Sequence, residues 1–265
     1  MPKIVDLTHT LTSKIHAYPG DPKFSAKPAF TFPEGDSVRV HALHLGTHTG
    51  THIDAPYHFY ERGKTIDEVP LEWLTGRPVV IDISSLVRGT ECKRIGWEHL
   101  REHEESIREA GQGDKILLIR TGWDSWLSRT GSTTHLRHPY FAGDVAEKLL
   151  EHGIRIFGVD TLSPDRTCLE PEQGEDTERY GDDPWAVHNA ILGTGGLIVE
   201  NLANLQGIMD VPPGKEWIIH FAPLKLGGLD GSPIRAYAIQ QVNTRINISN
   251  GISDARRLGN SQDQK

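Results

Sequence analysis

The sequence is poor in cysteine, in long apolar runs and in clustered positive charge, and each shortage excludes a class of protein. Two cysteines among 265 residues, Cys92 and Cys168, are too few for a disulfide framework, which predicts a reducing compartment. No apolar run approaches the roughly 18 residues of a membrane-spanning helix, and Asp6 interrupts the segment where a signal core would lie. Lysine and arginine are scattered and the net charge is -8, which argues against a nucleic-acid partner. These shortages predict a cytoplasmic protein with neither a membrane nor a nucleic acid as its partner.

What the sequence does contain is a dense group of metal-ligand side chains. Residues 48–58 have the sequence HTGTHIDAPYH. Imidazole and carboxylate are ligands of zinc, manganese and iron, and without a thiolate they favour a site with open coordination, as in hydrolytic metal centres. We interpret His48, His52 and Asp54 as a ligand cluster. His58 lies beyond a proline and is interpreted as an acid or base rather than as a fourth ligand.

The spacing of these residues also constrains the backbone. If residues 48–58 formed one straight strand, the two end histidines would lie roughly 33 Å apart and could not share a site. The chain must therefore curl, and it can do so at Gly46, Gly50 and Pro56.

The segment matches every fixed position of the signature H-x-G-T-H-x-D-x-P-x-H. In this it resembles the metal-dependent cyclase-like hydrolases, a group that includes bacterial kynurenine formamidase and isatin hydrolase. Three weaker elements extend the resemblance over most of the chain: P-G-D at residues 19–21, D-T-x-S-x-D at 160–165 and D-G-x-P-x-R-A at 230–236.

The resemblance implies a fold and an assembly. The expected fold is a single α/β domain over residues 1–248, with a cyclase-like β/β/α core and a mixed sheet, assembled as a homodimer or homotetramer. The alternating strands and helices alone would indicate only an α/β chain. Residues 249–265 form a polar C-terminal tail. The acidic stretch 166–183 lacks apolar periodicity, and so long a loop is predicted to act as a lid or a subunit contact.

The resemblance also implies a second set of ligands. Family members carry a histidine on a helix, followed twelve residues later by a glutamate after an apolar strand, which places these roles on His188 and Glu200. One metal would then bind His48, His52 and Asp54. A second would bind Asp54, His188 and Glu200, so that Asp54 bridges. The implied cofactor is a divalent metal, Zn or Mn, with one or two ions per chain.

The function implied by the resemblance is hydrolysis of an amide-type C–N bond in a small-molecule substrate, an aryl formamide or a lactam. Metal-activated water would attack the carbonyl, with His58 as the acid/base. The family's formamidases have a substrate-packing tryptophan just before P-G-D, where this chain offers the phenol of Tyr18. Two other classes stay open: a metal-dependent lyase or cyclase acting on a carbon acid, and a non-catalytic metal-binding protein. An intact His58 speaks against the second, because binding alone needs no base.

Apolar periodicity predicts the remaining elements. Strands are expected at residues 38–45, 78–83, 115–119, 154–159 and 197–199, with 217–222 and 234–239 paired as a hairpin. Helices are expected at 97–110 and 143–152, the second ended by Gly153. Five histidines in polar surroundings are predicted to lie on the surface: His99, His103, His135, His138 and His152.

Overall fold

The computed structural model describes residues 2–125, 135–167 and 183–242, which contain both strands and helices. The strands are β1 (Ile4–Asp6), β2 (Ser25–Phe30), β3 (Val40–His44), β4 (His52–Asp54), β5 (Thr75–Asp82), β6 (Arg94–Ile95), β7 (Lys115–Arg120), β8 (Tyr140–Phe141), β9 (Ile156–Val159), β10 (Leu197–Glu200), β11 (Lys215–Pro223) and β12 (Gly231–Val242). The α-helices are α1 (Ser84–Val87), α2 (Glu104–Ala110), α3 (Gly143–Glu151) and α4 (Ala186–Gly193). Most of the acidic stretch and all of the predicted tail lie outside the described residues, so their assignments stay predictions.

One mixed sheet organises the molecule. Its strand order is β1-β12-β11-β5-β7-β9-β10-β4, and β12 also pairs with β4. The long strand β12 pairs with β11 along residues 234–242 and with β4 through residues 231–233, so seven strands close into a barrel-like ring with β1 outside it. The mixed α/β fold predicted from the sequence is confirmed.

Two apolar clusters lie on opposite faces of this sheet. Successive residues of β7 alternate between them: Ile116 and Leu118 belong to the first cluster, and Leu117 and Ile119 to the second. Helices α2, α3 and α4 cover the second cluster with Ile107, Leu149 and Ile191. Both faces of the central parallel strands are therefore buried, which explains their continuous apolar sequence.

The predicted strands and hairpin are present with modest changes at their ends. Strand β9 begins at Ile156, two residues later than expected, and β11 pairs antiparallel with β12 as predicted. The connection between β11 and β12 runs through residues 224–230. Asp230 therefore ends a loop instead of occupying a tight turn, which brings it to the start of β12.

The two predicted helices differ in how well they form. Helix α3 ends one residue early, and Gly153 follows with φ 74, as a helix-stop glycine requires. The segment 97–110 is α-helical only in α2. Before it, the chain makes two 3-10 turns at residues 97–99 and 101–103, and His103, at φ -100 and ψ 5, leaves the α-helical region directly before α2.

The prediction that His138 lies on the surface is wrong. The residue is completely buried. Its Nδ1 donates to the Pro139 carbonyl at 2.8 Å, and its Nε2 lies 2.8 Å from the Thr167 hydroxyl. Burial lowers its pKa to about 4, so these two contacts hold a neutral imidazole.

Two cysteines are too few for a disulfide framework, but Cys92 is disulfide-bonded. Cys168 lies outside the described residues. A disulfide is unusual in a reducing compartment, so the low cysteine content no longer supports a cytoplasmic location, which stays a prediction. Within the described ranges, none of the helices has the length and apolarity needed to cross a membrane.

Candidate metal centre

The segment 48–58 curls as its sequence predicts. Gly50 takes a left-handed conformation at φ 68, and a short strand, β4, follows it. Since side chains alternate along a strand, His52 and Asp54 share one face, and both are almost fully buried. Strand β10 pairs with β4 in a register that sets Glu200 opposite His52. A third candidate ligand therefore reaches the same place through strand pairing.

His188 reaches this place from helix α4. Asp165 holds the start of that helix: Oδ1 accepts the Val187 amide and Oδ2 the His188 amide, both at 3.0 Å. The same Oδ2 accepts Nδ1 of His188 at 2.6 Å. The free Nε2 of His188 then lies 3.5 Å from Oδ2 of Asp54 and 3.4 Å from Oε1 of Glu200.

The five sequence-predicted ligands thus fall into two groups that share Asp54. His48, His52 and Asp54 form one group; Asp54, His188 and Glu200 form the other, and in each the candidate ligand atoms lie within 4.8 Å of one another. His48 approaches closest, with Nδ1 2.7 Å from Oδ1 of Asp54. Nε2 of His52 lies 3.2 Å from both carboxylates.

The hydrogen bonds around these histidines fit a metal. Each ring has one nitrogen hydrogen-bonded to an acceptor outside the cluster. Nδ1 of His52 lies 2.8 Å from the Gly50 carbonyl, and Nδ1 of His188 contacts the Asp165 carboxylate. Nε2 of His48 lies 2.9 Å from the Asp230 carboxylate. The opposite nitrogen of each ring lies near Asp54, and those of His52 and His188 also lie near Glu200, as in sites where outer partners orient metal-binding imidazoles.

Unsatisfied buried atoms fit a metal as well. Within the described residues, Nε2 of His52, Oδ2 of Asp54 and Oε1 of Glu200 are buried and make no hydrogen bond. Buried polar atoms are rarely left in this state, because each costs about 1–3 kcal/mol. All three atoms belong to side chains of the two ligand groups, where a cation would satisfy them.

Without a metal, protonated histidines balance the buried carboxylates. Burial alone would lower the pKa of His48 and His52, but neighbouring carboxylates, Asp54 foremost, raise it to about 9 and about 10. The pKa of Asp54 is held well below its usual range by these histidines, against the effect of burial. The pKa of His188 is raised well above its usual value, against burial, by Asp165, Asp54 and Glu200.

These shifts predict that metal binding releases protons. At pH 7.5, below both raised pKa values, His48 and His52 carry protons in the metal-free protein, whereas a metal binds neutral imidazole. We expect on the order of two protons released when the first group is filled, and an apparent affinity that rises with pH up to about 10, the higher of the two pKa values. Calorimetric titration in two buffers of different ionisation enthalpy measures this release, and identical heats in both buffers would contradict it.

His58 lies beside the cluster, as predicted for an acid or base. Its ring centroid is 3.9 Å from that of His48 and 6.0 Å from that of His188. Its Nδ1 lies 3.3 Å from Oδ2 of Asp230. Asp165 and Asp230 lie in two of the weaker motifs, and the sequence assigns neither of them a role. Both lie next to turn-forming residues, and nothing in the neighbouring sequence indicates that either contacts a histidine.

A cavity of about 260 Å³ opens above the cluster. The candidate substrate-binding residue Tyr18 lies on its wall, with Phe59, Leu162 and Trp185. The Trp185 ring centroid is 6.0 Å from that of Tyr18 and 5.7 Å from that of Phe59. The wall is therefore suited to a planar aromatic molecule, while the floor is formed by the histidines and Glu200.

A closed mixed sheet with a buried histidine–carboxylate cluster at the floor of an aromatic cavity defines a metal-dependent enzyme. Comparison with known proteins makes this more specific. The sequence model of the Cyclase family matches residues 5–166. The chain belongs to the cyclase family.

Relatives and solved structures agree with this assignment. Kynurenine formamidase of Bacillus thuringiensis (strain Al Hakam) is 31% identical over 235 residues, which cover 88% of this chain and 95% of that protein. Kynurenine formamidase of Geobacillus thermodenitrificans (strain NG80-2) is 32% identical over 233 residues, with the same coverage. Isatin hydrolase A from Labrenzia aggregata, solved with benzyl benzoate, has a TM-score of 0.71 at 27% identity and covers 90% of this chain and 93% of that one. Isatin hydrolase A from Ralstonia solanacearum has a TM-score of 0.73 at 25% identity, covering 90% and 92%.

Proposed function

We propose that this protein is a metal-dependent hydrolase of an amide-type C–N bond in a small aromatic molecule, an aryl formamide or a lactam. The observation that carries the proposal is the convergence of five ligand-type side chains at the floor of an aromatic cavity, with His58 beside them. Kinship with proteins named kynurenine formamidase and isatin hydrolase supports the same type of bond.

We propose one or two divalent ions per chain, Zn or Mn. His48, His52 and Asp54 would hold the first ion, and Asp54, His188 and Glu200 the second. Imidazole suits both metals and carboxylate suits manganese, so the mixed ligand set admits either. When bound, such an ion supplies activation of water at neutral pH and polarisation of a carbonyl oxygen.

The other steps belong to side chains of the chain itself. His58 takes the proton of the attacking water and returns it to the leaving nitrogen, since an imidazole ring nitrogen can both accept and donate a proton. Tyr18, Phe59 and Trp185 hold the planar ring of the substrate against the cavity wall, which fixes the carbonyl relative to His58. Tyr18 is the proposed substrate-binding residue because it lies at the position where related formamidases carry a tryptophan.

A substrate panel tests the reaction class. Protein reconstituted with Zn or Mn is offered an aryl formamide, a lactam, an aryl ester and a carbon acid, and the products are identified by mass spectrometry in ¹⁸O-labelled water. We expect formate with arylamine, or a ring-opened acid, carrying one labelled oxygen. Unlabelled products from the carbon acid would indicate a lyase or cyclase instead. Stoichiometric metal without turnover of any compound would indicate a metal-binding protein.

We also propose that the chain forms a homodimer or homotetramer with a small molecule as its other partner. Strands β2 and β3 form a separate two-stranded sheet that exposes Phe30, Val40 and Leu43. An isolated pair of strands is marginally stable in water, so a second copy covering this arm would stabilise it. A sedimentation mass equal to one chain would contradict the proposal.

A further inference from the structure

Asp230 ends the loop between β11 and β12 and is fixed by its backbone beside His48. Its carbonyl accepts the Ala55 amide at 2.9 Å, and the next residue, Gly231, pairs with Asp54 across the two strands. A β-carbon at Gly231 would lie 3.0 Å from Cε1 of His48. The glycine therefore allows the imidazole to lie against β12, within reach of the Asp230 carboxylate.

One carboxylate oxygen contacts two rings. Oδ2 of Asp230 lies 2.9 Å from Nε2 of His48 and 3.3 Å from Nδ1 of His58. An ionised carboxylate only accepts hydrogen bonds, so in neutral rings these two nitrogens carry the protons. His48 is then left with the lone pair of Nδ1 directed at Asp54, and His58 with an unprotonated Nε2.

We propose that Asp230 is a positioning residue that selects the Nε2–H tautomer of the ligand His48 and the Nδ1–H tautomer of the base His58. The effect of Asp230 on the reaction rate rests on the proposed hydrolase function, whereas its effect on the tautomers does not. Asp230 is one-third exposed and Asp54 almost fully buried. An unpaired carboxylate costs more when buried, so the cation belongs at Asp54, and Asp230 acts through the two imidazoles.

The tautomers can be observed without turnover. In zinc-loaded protein with ¹⁵N-labelled histidine, long-range proton–nitrogen correlation spectra distinguish protonated from unprotonated ring nitrogens. We expect the Nδ1–H form of His58 in the wild type and a loss of this single tautomer in Asp230→Asn, because an amide donates as well as accepts. An unchanged His58 tautomer in Asp230→Asn would overturn the proposal, whether or not the protein hydrolyses amides.

Kinetics at saturating metal separate positioning from ligation. Asp230→Asn should lower kcat about 10–100-fold, the usual effect of losing an outer partner, while metal stoichiometry is kept and KM changes less than about threefold. In a His58→Ala background the same substitution should change kcat less than about threefold, because most of its effect passes through that ring. Equal losses in both backgrounds, or loss of stoichiometric metal in Asp230→Asn, would overturn the proposal.

Asp67→Asn is the matched control. Oδ1 of Asp67 accepts the Gly228 amide at 2.9 Å and so holds the same loop from its solvent side. If Asp230 acts on the imidazoles, Asp67→Asn should keep kcat within about twofold and leave the histidine spectra unchanged, as expected for a surface substitution. An equal slowing in both variants would mean that loop stability, not tautomer selection, explains the loss, and would overturn the proposal.

Discussion

His58→Ala protein is expected to keep its full metal content and to turn over substrate about 10²–10⁴-fold more slowly than the wild type. The reason is that His58 contacts Asp230 and the His48 ring but belongs to neither of the two ligand groups that contain Asp54. Elemental analysis and steady-state kinetics on the same preparation measure both quantities. The wild-type protein and His103→Ala, a substitution of a histidine on a 3-10 turn outside the ligand groups, serve as references.

The contrast with His52→Ala makes this result specific. Nε2 of His52 lies 3.2 Å from both Asp54 and Glu200, so its removal should cost metal and activity together. If elemental analysis found no metal in the His58→Ala protein, His58 would be a ligand, and the assignment of an acid/base role to it would be wrong.

Asp54→Ala is expected to lose more metal than any single histidine substitution and to fall to background activity. Asp54 is the one residue shared by both ligand groups, so its removal weakens both at once. Glu200→Gln removes a carboxylate from one group only and should lose one ion while the His48–His52–Asp54 group stays filled. Elemental analysis after equilibrium dialysis against limiting metal measures the difference.

Folding must be separated from metal binding in this comparison. Asp54→Ala removes the buried carboxylate that His48, His52 and His188 all approach, which can also destabilise the fold. Asp54→Asn, which keeps the side-chain volume, is therefore measured beside it by circular dichroism. A folded Asp54→Asn protein that retained both ions would contradict a bridging role for Asp54.

The ligand-type residues of the first group could be predicted from sequence because their geometry is local. His52 and Asp54 lie two apart on one strand, and the glycine at position 50 and the proline at position 56 mark the bends of the chain. His188 and Glu200 required the family resemblance. Their meeting depends on the pairing of β10 with β4, which joins segments far apart in the sequence.

Asp165 and Asp230 could not be assigned a role for the same physical reason. Asp230 faces the metal segment only because the first residues of β12 extend beyond β11 and pair with β4. Asp165 reaches His188 only because it accepts the first amides of α4. Neither the strand register nor the helix contact is specified by residues near the aspartate in the chain.

The burial of His138 and the disulfide bond of Cys92 have a common explanation. Polar neighbours in the sequence predict that His138 lies on the surface, but the Pro139 carbonyl and the Thr167 hydroxyl satisfy its ring inside the fold. The number of cysteines argues against a disulfide framework, but it carries no information about whether two cysteines lie close together in space. Burial and pairing depend on tertiary structure, which neighbouring residues do not specify.

The most direct measurement is an anomalous diffraction experiment on crystals of the metal-reconstituted protein, recorded on both sides of the zinc or manganese absorption edge. We predict one or two anomalous peaks, the first about 2.0–2.2 Å from His48, His52 and Asp54 and the second, if filled, at the same distance from Asp54, His188 and Glu200. His58 would bind neither ion. A peak coordinated instead by His48, His58 and Asp230 would contradict the account, because the proposed base would then be a metal ligand.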